Sequence, residues 1–297
     1  MKKQTGAVVL AELLKSLGVT HIFMVPAVLR RTMVEIEKRT NIKRLHVHSE
    51  KSAAYMADGY ARVSHKPAIC MAQIIGALNI AAGLRDAFLA HSPVIALTGG
   101  REPKTKFKKV YQEIDDMPAF EPVTKFNATI DDVNRFSDMM EQAFRVATSG
   151  SPGPVHLQFR GNEAQIDLEE TEVEVTINEI NIQIPPHRPI CADRVLKKAL
   201  EAIQKATKPI IVAGGGARHS GCSKELLTFA EKLSIPIATS LNGKDLIKSN
   251  HPLSCGVVGT YSRESANLSV KEADLVIFIG SETGSMTTHF WAVPSSK

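Results

Sequence analysis

The chain has 297 residues, 43% of them hydrophobic, with a formal net charge of +5, enough for about two domains each with its own core. Basic residues are interspersed with acids, which argues against nucleic-acid binding, and the run from Lys104 to Lys109 reads as a solvated loop. Four dispersed cysteines without a CxxC pair, no signal-like N-terminus and no membrane-length apolar stretch lead to the expectation of a soluble cytoplasmic protein with no metal site and no disulfide framework.

In chain order, helical spacing predicts a helix over 5–17, stopped by Gly18. A short buried strand, 21–26, precedes a helix over 29–39 and a strand over 45–48. Ser49-Glu50 then opens a small-residue helix running to Arg62. Strand-like runs at 68–72, 93–100 and 155–159, and an amphipathic helix over 131–148, continue the alternation. Cys70, inside the first of these strands, reads as a small core residue. Between about Gly161 and Pro189 the helical period disappears, acids cluster and Pro185-Pro186 follows, which predicts an interdomain linker. A second α/β unit follows, with helices over 195–206, 223–233 and 267–272 and strands over 209–213, 235–239 and 274–280. The rhythm is that of doubly wound parallel α/β sheets.

A carboxylate at a helix entrance is favoured by the helix dipole, and Glu50 has that simple reading. The pattern around it adds another. Glu50, Ala53, Ala54, Ala57, Gly59, Tyr60, Ala61 and Arg62 match the motif R-H-E-x-x-A-A-x-x-A-x-G-Y-A-R, and Tyr111-Gln112-Glu113 is similar to a Phe-Gln-Glu segment. In these features the chain resembles thiamine-diphosphate (ThDP) enzymes of the acetolactate synthase type. Pro209 to Arg218, Asn242-Gly243-Lys244 and His251-Pro252-Leu253 are similar to landmarks of their central domain. The resemblance implies an N-terminal pyrimidine-binding domain over 1–163, a linker over 164–189, and a Rossmann-like central domain over 190–297, incomplete at its C-terminus.

The resemblance also implies a chemistry. Glu50 would bond to the cofactor's pyrimidine and activate it, with burial holding the acid ready to donate. Gln112 would act on the bound intermediate through an amide that donates and accepts without changing charge. Pro26, Gly76 and Asn79 would join Glu50 at the cofactor. The implied activity is carboligation or decarboxylation of 2-oxo acids such as pyruvate. Mg²⁺ would be held through a Gly-Asp-Gly motif that occurs nowhere in the chain, so a fragment or one polypeptide of a split enzyme is expected. A homodimer, a homotetramer or a separate diphosphate-binding subunit would complete the site. The alternative is a non-catalytic interaction subunit derived from the same family.

Several positions depart from the family pattern. Ile74-Ile75-Gly76-Ala77-Leu78-Asn79 stands where Gly-Pro-Gly-Ala-Thr-Asn is usual, which predicts a bulkier, less polar pocket wall. Met24-Val25-Pro26-Ala27-Val28 replaces Gly-x-Pro-Gly-Gly, and Ser49 replaces a histidine. Gly214-Gly215-Gly216 after a strand suits a phosphate as well as a plain turn. FAD, which acetolactate synthases bind across the central domain, stays an open expectation here, because two of its expected partners are missing. Ser151 stands for an expected arginine, and Ser281 to Ser285 replaces an Arg-Phe-Asp-Asp-Arg segment. No metal-ligand spacing links His21, His46, His48 and His156, which read as structural.

Overall fold

A computed structural model describes residues 3–294. They divide into two compact units, the first ending at His187 and the second beginning at Arg188.

The first unit contains, in order, β1 (Gln4–Thr5), α1 (Gly6–Ser16), β2 (His21–Met24), α2 (Arg30–Arg39), β3 (Lys43–His46), α3 (Glu50–Ser64), β4 (Ala68–Ala72), α4 (Ala77–Leu89), β5 (Val94–Gly99), β6 (Phe126–Ile130), α5 (Phe136–Thr148), β7 (Val155–Phe159) and β8 (Glu170–Thr171). Six strands form a parallel sheet in the order β3-β2-β4-β5-β7-β6, while β1 and β8 make a small antiparallel pair. Continuous apolar runs such as Ala68-Ile69-Cys70-Met71-Ala72 form its centre, because both faces of a parallel sheet are covered. Residues alternate between the two faces. Ile22, Ile69, Met71, Leu97 and Leu157 meet α1, α2 and α5; Phe23, Ala68, Cys70 and Ala96 meet α3 and α4. Burial pushes the Cys70 thiol up to about 12, in keeping with a core residue.

The end of α1 follows the sequence signal. Gly18, at φ 71°, closes α1 in the left-handed region that glycine enters freely. β6 carries no strong apolar pattern; it pairs along the outer side of β7 and is partly exposed.

The acid-rich stretch expected as a linker packs on the first unit as far as His187. Its periodicity is two: Val173, Val175 and Ile177 pack against the α1/α5 core, and Glu172 and Glu174 face outward. Asp167 is buried there, accepting hydrogen bonds from the Thr32 backbone (3.1 Å) and hydroxyl (3.0 Å). Absence of helical periodicity therefore marks an extended strap on the core.

The second unit contains α6 (Asp193–Lys205), β9 (Pro209–Ala213), α7 (Gly215–His219), α8 (Ser223–Leu233), β10 (Ile237–Thr239), β11 (Ser254–Val257), α9 (Glu264–Glu272), β12 (Leu275–Ile279) and α10 (Ser285–Thr288). Its four strands are parallel in the order β11-β10-β9-β12. Ile211, Leu226 and Ile237 build one core, and Ile210, Val212 and Val270 another. The triple glycine has a packing reason. A Cβ on Gly214 would lie 2.3 Å from the Gly280 carbonyl oxygen, and the Gly214 and Gly216 amides donate to Ile279 and Gly280 at 2.8 Å. Two of the three amides considered for a phosphate are thus already engaged.

Candidate active site

The residues singled out from the sequence converge on one edge of the first sheet. Pro26 follows β2, Glu50 follows β3, Gly76 and Asn79 follow β4, and Gln112 lies in the long loop after β5. All are beyond the carboxyl ends of parallel strands, where open α/β sheets place their ligands.

Glu50 is the first residue of α3, preceded by Ser49 in extended conformation. Ala53, Ala54, Ala57 and Ala61 fill the buried side of the helix, so α3 can lie close to the sheet and to α4. At the crossing with α4, a Cβ on Gly83 would come 2.7 Å from the Ala54 Cβ and 2.9 Å from the Lys51 carbonyl oxygen. Asp58 and Arg62 form a two-point ion pair one helical turn apart, at 2.8 and 2.7 Å.

The Glu50 carboxylate is held from two sides. Asn79 Nδ2 donates to Oε2 at 3.0 Å. Gly76 packs so tightly that a Cβ there would lie 2.5 Å from Glu50 Cγ and 2.7 Å from Oε1. Burial is only partial, against expectation: Glu50 is intermediate in exposure and Asn79 is exposed. The pocket wall also differs from expectation. Ile74 is buried, whereas Ile75 is 56% exposed, so one isoleucine of the pair reaches the surface.

A turn beginning at Gln73 connects the two expected catalytic residues. Gly76 N donates to Gln73 O at 2.9 Å, closing the turn against Glu50, while Gln73 Nε2 donates to Gln112 Oε1 at 2.8 Å. Gln112 has φ 64°, a left-handed conformation costing a non-glycine residue on the order of 1 kcal/mol. Pro26 is exposed and is related to the group by strand-end position. Next to it Ala27, where the family pattern has glycine, adopts φ 89°.

The stem of the Gln112 loop is anchored by buried polar groups; of these the sequence singled out His156, as structural, but not Asp116, Asn127 or Gln158. Gln158 Nε2 donates to Asp116 Oδ1 at 2.7 Å, and Asn127 Nδ2 donates to the Met117 carbonyl at 2.8 Å. That orients Asn127 Oδ1 to accept from His156 Nδ1 (2.7 Å), leaving Nε2 to accept from the Thr98 hydroxyl (2.7 Å). His156 stacks on Phe120 with ring centroids 3.4 Å apart, and burial lowers it to about 3. It is a neutral structural histidine. Burial raises the Asp116 carboxyl, which the Gln158 hydrogen bond opposes in part. The signal for this network was the polar His156 and Gln158 alternating within an apolar strand.

Comparison with known proteins agrees with the two α/β units. Residues 4–119 match the family model described as "Thiamine pyrophosphate enzyme, N-terminal TPP binding domain", and residues 196–297 match "Thiamine pyrophosphate enzyme, central domain". The chain belongs to the thiamine pyrophosphate enzyme family. It is 34% identical to a probable acetolactate synthase large subunit of Methanocaldococcus jannaschii over 280 residues, covering 93% of this chain and 46% of that protein. It is 34% identical over 293 residues to the acetolactate synthase of Arthrospira platensis (94% and 49% covered), and 29% identical over 281 residues to the isozyme 1 large subunit of Escherichia coli (94% and 49%). The chain spans about half the length of these curated relatives.

Proposed function

We propose that the chain supplies the pyrimidine-binding half of a ThDP-dependent active site acting on 2-oxo acids such as pyruvate, in an acetolactate synthase-like carboligation or decarboxylation. One observation carries the proposal: a carboxylate at the start of α3, fixed by Asn79 and by the bare Cα of Gly76, at the ligand-binding edge of a parallel sheet.

These residues fit the group. Glu50 keeps a partly exposed carboxylate for a ring nitrogen, the bare Cα of Gly76 makes room for the Glu50 side chain, and Asn79 fixes which oxygen is engaged. Bound thiamine diphosphate supplies a nucleophilic carbon for attack on the 2-oxo group. Glu50 holds a proton at that ring nitrogen, and Gln112 contributes hydrogen bonds to the substrate. The diphosphate and Mg²⁺ are assigned to groups outside this chain, and FAD is left out of the proposal.

Support for assembly with a second copy or a diphosphate-binding subunit comes from the outward side of α3 and α4. Tyr55, Met56 and Leu78 are exposed there by 41–45%, with Ile75 beside them. The described helices include none long and apolar enough to cross a membrane, and the proposed setting is the cytoplasm.

The test is ThDP- and Mg²⁺-dependent pyruvate consumption by the full-length protein, with and without Glu50→Gln. A fall of roughly a hundredfold or more in kcat is expected. Equal turnover by the two forms would remove Glu50 from this role.

A further inference from the structure

We propose that Gln73 is a positioning residue that turns the Gln112 amide so that its NH₂ group, and not its carbonyl, faces the substrate. The inference deepens the ThDP-dependent reading and rests on it.

Gln73 is well placed to act as a fixed reference. Its carbonyl accepts from Gly76 N, Ile74 N donates to Asn162 O at 3.0 Å, and the Ile74 side chain is buried. Gln112 is held less firmly. It lies in a turn closed by Glu113 N donating to Val110 O at 3.1 Å, between exposed Tyr111 and Ile114. Among the described residues, Gln73 is the hydrogen-bond partner of the Gln112 side chain. The loop stem is fixed through Asp116 and Met117, so the Gln73 bond specifically controls the tip.

The direction of this bond matters chemically. With Oε1 of Gln112 engaged by the Gln73 NH₂, the two hydrogens on Gln112 Nε2 remain available. A donor suits a carbonyl oxygen of a 2-oxo acid that gains negative charge during attack, whereas an amide oxygen turned to the same place repels that charge. Sequence reasoning leaves Gln112 able to act in either sense; its contact with Gln73 selects donation.

The experiment uses the full-length protein with Gln73→Met, which keeps side-chain length without the hydrogen bond, and Gln73→Glu, whose carboxylate accepts from Gln112 and reverses its amide. For Gln73→Met, kcat should fall roughly tenfold with KM changed less than about twofold; for Gln73→Glu the fall should approach roughly a hundredfold. In cofactor-free protein, the Gln112 side-chain amide resonances should move in Gln73→Met, a readout independent of turnover. Wild-type kcat in both variants, or an unmoved Gln112 amide in Gln73→Met, overturns the inference. If Gln73→Glu does not fold, Gln73→Met and the amide shift decide the matter. Glu50→Gln, run in parallel, separates the two levels. Full activity there defeats the ThDP-dependent reading itself; its inactivation beside fully active Gln73 variants defeats only the positioning role.

Discussion

The two faces of the first sheet are built from different materials. Towards α1, α2 and α5 the core contains Leu10, Leu13, Leu14, Phe136, Phe144 and Phe159; towards α3 and α4 it contains Ala53, Ala54, Ala57, Ala61, Ala68 and Ala72. Large side chains bury more apolar area, so the first face carries more of the stability. Small ones allow close approach, so the second face holds the start of α3 near the strand ends with little room to move. That second face also carries the polar residues Thr98, His156 and Gln158, which tie the Gln112 loop to the sheet.

Mutations can break this contrast. Phe144→Ala, on the large-residue face, should destabilise the protein by about 3–5 kcal/mol through the cavity it leaves, measured by denaturant unfolding. Gly83→Ala, on the small-residue face, adds one methyl group against Ala54 and the Lys51 carbonyl and should cost about 1–3 kcal/mol by overpacking. A greater loss for Gly83→Ala than for Phe144→Ala would reverse the assignment of the two faces.

A third expected effect concerns pH. His156 is lowered to about 3 in the folded protein, against an ordinary value of 6.5. Between these values the unfolded chain binds the extra proton, so stability falls as pH drops below 6.5, by about 1.4 kcal/mol per pH unit from this group. Asp116, raised by burial, contributes in the opposite sense, favouring the folded state as the carboxyl protonates. Unfolding curves from pH 7 to 5 should therefore show an acid-dependent loss that His156→Gln reduces. An unchanged slope in that variant would dissociate the loss from His156.

Much of the candidate site could be read from the chain because its markers are local. Glu50 and the alanines of α3 occur in one helix with fixed spacing, and Gly76 and Asn79 lie within four residues of each other. Glycines were harder to interpret. Gly76 lies against a carboxylate and Gly214 against the backbone of Gly280, yet no sequence signal distinguishes these neighbours. The strap around Val173 and Val175 was misleading because its acids were more conspicuous than its two-residue period.

Local pattern was enough to establish two α/β units, their buried strands and the helix that begins at Glu50, since periodicity and caps depend on neighbouring residues. Which groups meet was decided by tertiary structure. Gln73 and Gln112 are 39 residues apart, and Asp116 and Gln158 are 42 apart. Their contacts arise because β5 lies between β4 and β7 in the sheet, bringing the loops from separate strand ends to one edge. Strand order is a property of the whole packed core, and the meeting of Gln73 with Gln112 follows from it.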